Sequence, residues 1–277
     1  MGRQIVKTRA VVVRTRRMGE TSKLVTLYSE EFGKLKVVAK GARRPKSKFG
    51  AALEVMTEVQ AVCYLREDRD LQTLSECDVV QSFPALLRDF RRLSFASAAC
   101  ESIDRIAIEQ EPNQRLYRCL TGVLAALEEV DPEQIESLFW YFQLRLAEAL
   151  GYRPELGGCV SCNTPLAGCE APYFSAGLGG VLCSDCHRAE GVPVDDGYRW
   201  NRAIEDEKLA RYSRNGGHRV APDSLGFLAS LQNIRTYRKE AIPPQPPGCG
   251  EIRAILSGFL EYHGGAGGRL KALEFLH

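Results

Sequence analysis

The 277-residue sequence predicts an α+β protein. Five short strands close into a small barrel, helices follow, and a four-cysteine insert interrupts the helical part. Three observations predict this. β-Branched, loosely alternating runs broken by turn signals fill residues 5–81. From Leu86 onward apolar residues recur at helical spacing. Between Cys159 and Cys186, two C-x2-C pairs stand twenty residues apart in a Gly-rich context.

The strands are expected at Ile5–Thr15, Leu24–Tyr28, Leu35–Lys40, Val55–Leu65 and Leu74–Val80. Met18-Gly19-Glu20, Phe32-Gly33-Lys34 and Asp68-Arg69-Asp70 supply turns between them. Five strands of this length suit a small closed barrel, of which the OB type is one; its face and loops often carry single-stranded nucleic acid. After Phe83-Pro84 the period changes. Leu86, Phe90, Leu93, Ala96 and Cys100 share one helical stripe, and Leu116, Leu120, Val123 and Leu127 a second. A third helix has Asp131 as N-cap, Pro132 just inside, an apolar stripe through Ile135, Leu138, Phe142, Leu146 and Leu150, and Gly151 as its stop. Residues 191–220 are polar and read as loop with a short helix. Leu225, Leu228, Leu231 and Ile234 begin another helix. Pro243-Pro244-Gln245-Pro246-Pro247 is a stiff spacer, and Ile252, Ile255, Leu256, Phe259 and Leu260 mark a last helix ending near His263-Gly264.

The paired cysteines carry the most specific chemical signal. A C-x2-C knuckle places two thiolates on one side of a tight turn, and two knuckles complete a tetrahedral S4 site suited to Zn²⁺. The expected ligands are Cys159, Cys162, Cys183 and Cys186, with Tyr173–Phe174 and Gly180–Leu182 forming the hairpin of a ribbon. Four protein ligands leave no position for water, which makes the site structural rather than catalytic. A dithiol redox pair would need one C-x-x-C at a helix start within a βαβ unit, which is not the context here. An iron–sulfur cluster with Cys169 as an extra ligand is the other alternative. His187 directly follows Cys186 and is read as a bystander. Cys63, Cys77, Cys100 and Cys119 fall in apolar patterns and read as small core residues.

Charge is polarised along the chain. Fourteen of the 37 basic residues but only three of the 35 acidic ones fall within residues 1–48, a local balance of +11, so the remainder carries −9. A dense basic surface is the footprint of a polyanion binder, because each Lys or Arg set against a phosphate releases a condensed counterion; the alternative is a solvated face with no partner. No apolar run reaches membrane-spanning length, and Met1–Arg17 has no uncharged core of a secretory signal. Ten cysteines without an export signal point to a reducing cytoplasm. No P-loop, G-x-S-x-G, H-E-x-x-H or deaminase signature is present, so no catalytic activity is expected.

The motifs also resemble a known family. Gly19–Tyr28, Gly33-Lys34-Leu35 and Val38-Ala39-Lys40-Gly41-Ala42-Arg43-Arg44 are similar to the N-terminal barrel of the bacterial RecO recombination mediators. The similarity continues through Glu76–Leu87, Leu150-Gly151-Tyr152-Arg153-Pro154-Glu155-Leu156, Glu261-Tyr262-His263 and Arg269-Leu270-Lys271. The Gly-rich segment 264–268 loosens the last of these motifs, and residues 191–220 match weakly. The resemblance implies a five-stranded OB-type β-barrel followed by an α-helical domain with an inserted four-cysteine zinc ribbon. The expected division is an OB domain at 1–82, a helical domain at 83–156 and 188–277, and the ribbon at 157–187. It implies a non-catalytic, cytoplasmic and nucleoid-associated repair protein. Such proteins bind single- and double-stranded DNA and anneal complementary strands coated by single-stranded DNA-binding protein (SSB). With RecR they help RecA replace SSB. The SSB C-terminal tail is expected on the helical domain.

By family position the DNA-binding residues are Lys34, Lys36 and Lys40 on the strand face and Arg43, Arg44, Lys46 and Lys48 in the loop. Arg14, Arg16 and Arg17 at the end of the first strand extend the patch. Phe32, Phe49 and Tyr28 are nearby aromatics that either stack bases or fill the barrel core. Two competing readings are an RNA-binding or transcription-associated factor built from the same modules, and a metal-dependent nuclease, which would need a carboxylate cluster that the sequence does not display.

Overall fold

The computed structural model describes residues 4–66, 68–166, 168–189, 218–264, 270–274 and 276. It divides into two compact units: Met1–Glu129 with Leu270–His277, and Val130–Arg269.

The first unit is built on a closed five-stranded barrel: β1 (Gln4–Met18), β2 (Ser22–Ser29), β3 (Gly33–Ala39), β4 (Glu58–Leu65) and β5 (Gln72–Gln81), in the order β1-β2-β3-β5-β4. β1 is the hinge of the closure. Its first half pairs antiparallel with β4, from Gln4↔Leu65 to Val11↔Glu58, and its second half with β2, from Ala10↔Ser29 to Met18↔Ser22. The register slips between Val12 and Arg14, a bulge of the kind that bends a strand from one partner to the next. Strand alternation sends Val6, Ala10 and Val12, Val25 and Leu27, Leu35 and Val37, Val59, Ala61 and Cys63, and Leu74 into one interior. A 3-10 turn at Gly50–Leu53, absent from the sequence expectation, adds Ala52 and Leu53 to the core beneath Phe49.

β3 and β5 are parallel neighbours only at Val37↔Gln72 and Val38↔Thr73, so the first half of β3 has an open edge. The segment joining α1 (Phe90–Ile106) to α2 (Gln114–Glu129) fills it. The Gln110 amide donates to the Lys34 carbonyl at 3.0 Å, and Lys34 bridges Glu109 as one parallel pair. Gly33 (φ +63°) is required here: a Cβ would stand 2.1 Å from the Glu111 carbonyl oxygen. The outer face of β2 is sealed the same way, with Tyr28 fully buried and its hydroxyl donating to the Asn113 carbonyl at 3.3 Å. α1 packs on β1, and Asp89 caps it by accepting from the Arg92 amide at 2.9 Å. Near the C-terminus of the chain, Ala272 donates its amide to Glu101 at 3.1 Å.

One buried charge fastens α2 to the barrel. Glu58 is 3% exposed. It accepts from Arg9 at 2.7 Å and from the Tyr117 hydroxyl at 2.8 Å. Burial, reinforced by this carboxylate, holds the Tyr117 phenol protonated well above its ordinary range.

The second unit centres on α3 (Ile135–Ala149), which is buried nearly all round, as its apolar residues on every face require. The expected Asp131 start is real in a modified form. Asp131 and Gln134 make a reciprocal capping box around a 3-10 turn at Pro132–Gln134 that leads into α3. Gly151 (φ +87°) ends the helix, and the Tyr152 amide returns to the Ala147 carbonyl at 2.8 Å. Two later helices pack on α3, here α5 (Pro222–Asn233) and α6 (Gly250–Gly264); Trp140 meets Phe227 edge-on at 5.8 Å, and Arg253 pairs with the buried Glu136. Between α3 and α5 lie β6 (Tyr173–Ser175), β7 (Gly180–Leu182), the short α4 (Ser184–Ala189) and β8 (His218–Arg219); the three strands form a sheet in the order β7-β6-β8. β8 was not legible as a strand. The rest of the loop-and-helix expectation for 191–220, and nearly all of the Gly-rich segment 264–268, lie outside the described residues. Among the described residues, no helix is long and apolar enough to cross a membrane.

Replacing Glu58 by Ala removes the Tyr117 acceptor in a buried setting and should cost about 2 kcal/mol, whereas Tyr117→Phe, which leaves no orphaned donor, should cost about 1 kcal/mol. Urea denaturation monitored by circular dichroism checks both, and equal costs would contradict the assignment.

Candidate functional site

The metal-ligating candidates come together as the spacing requires. Cys159, Cys162, Cys183 and Cys186 present their Sγ atoms within 4.8 Å of one another. The first knuckle closes through Asn163 (φ +59°), whose amide donates to the Cys159 carbonyl at 2.8 Å, and the Cys159 amide donates to the Thr164 carbonyl at 2.9 Å. The Val160 amide donates to the Val181 carbonyl at 2.8 Å and ties this knuckle to β7. The second knuckle starts directly after β7, with Cys183 at its edge and Cys186 in α4. Gly180 lets the chain cross there, since a Cβ would lie 2.4 Å from the Glu155 carbonyl oxygen.

The surroundings fit a divalent cation bound by thiolates. The Thr164 hydroxyl and amide, with neighbouring thiols, pull Cys162 down to about 6. Hydrogen bonds to Cys162 and then Cys183 push Cys186 up to about 12. Burial raises Cys159, but the amides of Cys162, Cys183 and Ser161 outweigh it and leave its thiol below the ordinary range. The Cys183 amide reaches the Cys159 sulfur at 3.3 Å. Such N–H···S contacts stabilise thiolate, while crowding forbids four uncompensated negative charges. A metal ion resolves that conflict. Cys169 and His187 are not part of the cluster. The His187 ring stacks on Tyr173 at 3.7 Å and is 2% exposed, a packing role.

The cationic candidates divide into two groups. On the strand face they are engaged by the first unit's own helices. Lys34 is buried, and its ammonium donates to the Asp104 carbonyl at 2.9 Å, at the end of α1, so it is not presented on the surface where the family position suggested it. Lys36 pairs with Glu109, and Arg14 with Asp104 at 3.0 Å. The physical reason is the open edge of β3: the segment that fills it brings Glu109 against Lys36, and the end of α1 from which it leaves brings the Asp104 carboxylate and carbonyl against Arg14 and Lys34.

At the other end of β3 the basic residues stay exposed. Arg16 and Arg17 finish β1, Lys40 follows β3, and Arg44, Lys46 and Lys48 lie in the loop beyond. Register assembles them, because Arg17 pairs with Lys23 and Lys23 with Ala39, one row across three strands. Arg43 staples the loop to the β1–β2 turn. Its Nη1 donates to the carbonyls of Gly19 and Glu20 at 3.1 and 2.8 Å, and its amide donates to the Thr21 carbonyl at 2.9 Å. Arg43 therefore positions the cluster. Lys23, half in the same row and paired with Glu54 at 3.2 Å, is a member that the strand-face reading missed; its cross-strand neighbour Arg17 was the available signal. Among the aromatics, Phe49 fills the barrel core and Phe32 packs against it, whereas Tyr28 is buried on the outer face of β2 with its hydroxyl on the Asn113 carbonyl, so core filling holds for Phe49 and Phe32 and not for Tyr28.

Comparison with known proteins identifies the family. Residues 1–83 match the family model of the recombination protein O N-terminal region, and residues 87–211 match that of its C-terminal region. The first match ends where β5 has just closed the barrel. The DNA repair protein RecO of Anaeromyxobacter sp. (strain K) is 33% identical over 275 residues, covering 98% of this chain and 95% of that protein. RecO of an Exiguobacterium species is 36% identical over 271 residues, covering 98% and 94%. RecO of Pelotomaculum thermopropionicum is 36% identical over 192 residues, covering 69% and 72%. With both family models matched in order and relatives aligned along almost the whole length, the chain belongs to the RecO family of DNA repair proteins.

Proposed function

We propose that this protein is a non-catalytic recombination mediator that binds single- and double-stranded DNA at the basic end of its barrel and anneals complementary strands carrying SSB. With RecR it promotes loading of RecA, working in the cytoplasm at the nucleoid, and the SSB tail docks on the helical domain. The observation that carries the reading is the row Arg17–Lys23–Ala39 with the stapled loop 40–48, which gathers exposed cations at one end of the barrel. Annealing requires that strand–strand repulsion be neutralised, and a fixed cationic surface does this without chemistry. Phosphate contacts carry no sequence information, so the binding is sequence-tolerant.

In this reading the DNA-contacting residues are Arg16, Arg17, Lys40, Arg44, Lys46 and Lys48, with Arg43 holding the loop. Lys34, Lys36 and Arg14 have local partners and serve the barrel–helix junction. Zn²⁺ is the metal of the Cys159/Cys162/Cys183/Cys186 site, one per chain, where it closes the ribbon.

Three outcomes are expected. Complementary oligonucleotides precoated with SSB should anneal rapidly without ATP, and Arg17/Arg44/Lys46→Ala should slow annealing at least tenfold while the fold persists; an unchanged rate would remove the barrel end from the mechanism. Cys159→Ser should abolish stoichiometric zinc and expose residues 157–187 to limited proteolysis. Wild-type apoprotein should release protons on binding Zn²⁺ at pH 7, since Cys186 must give up its proton. Calorimetry in buffers of different ionisation enthalpy reads that release, and its absence would contradict the four-thiolate site.

A further inference from the structure

The second unit carries an exposed aromatic platform that no part of the proposed mechanism uses. Tyr152 and Tyr262 are each 43% exposed, although burial is the usual fate of large rings in this molecule. Both lean on one imidazole. Tyr152 stacks on His263 with centroids 4.9 Å apart and planes at 25°, and Tyr262 meets the same ring edge-on at 4.9 Å. Phe259, buried, supports His263 from beneath at 4.4 Å. The Ala176 carbonyl accepts a hydrogen bond from His263 Nε2 at 2.8 Å, which fixes the ring and places its proton on that nitrogen.

Three separate elements hold this cluster: the stop of α3, the β6–β7 turn and the last turn of α6. The backbone at Tyr152 is itself fixed, by the Gly151 turn and the 2.8 Å bond to Ala147. The rings are therefore preordered, and a ligand stacking on them would lose little side-chain freedom to do so.

We propose that Tyr152 and Tyr262 stack unpaired nucleobases of single-stranded DNA, making this a second DNA contact in addition to the barrel end. The inference rests on the DNA-binding reading above. Its chemistry favours bases over an aliphatic peptide, because the exposed groups are two aromatic rings held on a third, and Arg153, exposed and next to Tyr152 in the chain, is another side chain that stacks on bases. The charged residues within three positions of either tyrosine, Arg153, Glu155 and Glu261, leave no excess of positive charge to attract phosphates. Glu155 is exposed but its Oε1 accepts the amides of Gly157 and Gly158 at 2.9 and 3.0 Å, and Glu261 is half-buried. The contact is therefore stacking-driven and nearly independent of salt, unlike the cationic barrel end.

The test compares binding of oligo-dT with that of an abasic strand of equal length, by fluorescence anisotropy at several salt concentrations. Wild type should prefer oligo-dT. Tyr152→Leu/Tyr262→Leu should weaken oligo-dT binding about tenfold for each ring removed, leave abasic binding and the salt slope unchanged, and retain zinc and its thermal midpoint. Tyr152→Phe/Tyr262→Phe should restore the preference, since the ring and not the hydroxyl does the stacking. Equal loss on both strands, or a preference intact in the Leu variant, would overturn the platform; so would loss of capture of an acidic, apolar partner peptide with the base preference kept. Wild type that binds both strands alike with a steep salt slope would overturn the platform and leave the barrel-end reading standing. Failure to bind either strand would overturn both.

Discussion

The open edge of β3 is the constraint from which the rest of the first unit follows. A five-stranded barrel of this order closes through a short parallel contact, here only two residue pairs, and leaves the start of β3 without a neighbour. Unpaired backbone buried against helices would be costly. The α1–α2 segment answers by bonding to Lys34 and packing onto Gly33 so tightly that no side chain fits. That packing recruits the strand-face cations: Lys34 to a helix-end carbonyl, Lys36 to Glu109, Arg14 to Asp104. The candidate cations left exposed lie at the opposite end of the same strands, on the end of β1 and in the loop beyond Ala39. Where exposed positive charge collects is thus set by how the barrel is closed as much as by where the sequence places its lysines.

The four-cysteine region obeys a different logic. Its sheet strands are two or three residues long and bury little by themselves. Its two turns converge on one point, the first tied to β7 by the Val160 amide and the second following β7 directly, so that four sulfurs lie within 4.8 Å of one another, a set that could hold a metal ion. The Glu58 anchor in the first unit is the converse case, a single buried carboxylate satisfied by Arg9 and Tyr117 and needing no ion.

Much of this was legible in the sequence, and what was not has a physical reason. Alternation and turn residues located all five strands, and Asp131–Pro132 and Gly151 bracketed α3, because these signals are local. The cysteine spacing picked out the four sulfurs that the fold brings within 4.8 Å of one another, because a C-x2-C turn permits few geometries. Lys34 could not be read correctly, since its partner Asp104 is seventy residues away and the alternation of β3 says only that Lys34 points out of the barrel, not that a helix end waits there. Val55 was read as the start of the fourth strand, but β4 begins at Glu58 after a 3-10 turn, because Phe49, Ala52 and Leu53 are needed to plug the barrel and no short-range pattern announces that. The two-residue β8 owes its existence to pairing with β6 and has no propensity signal of its own.

The most direct test of the central claim sets two charge-removal variants side by side: Arg14/Lys36→Ala on the strand face and Arg17/Arg44/Lys46→Ala at the barrel end. The quantity to measure is the slope of log K against log salt for single-stranded DNA. Removing one cation that neutralises a phosphate should flatten the slope by about one unit. The account predicts a slope flatter by about two to three such units for the barrel-end variant and one close to wild type for the strand-face variant. A flattened slope in the strand-face variant, with the barrel-end variant unchanged, would contradict it and place the DNA across the face that the α1–α2 segment covers.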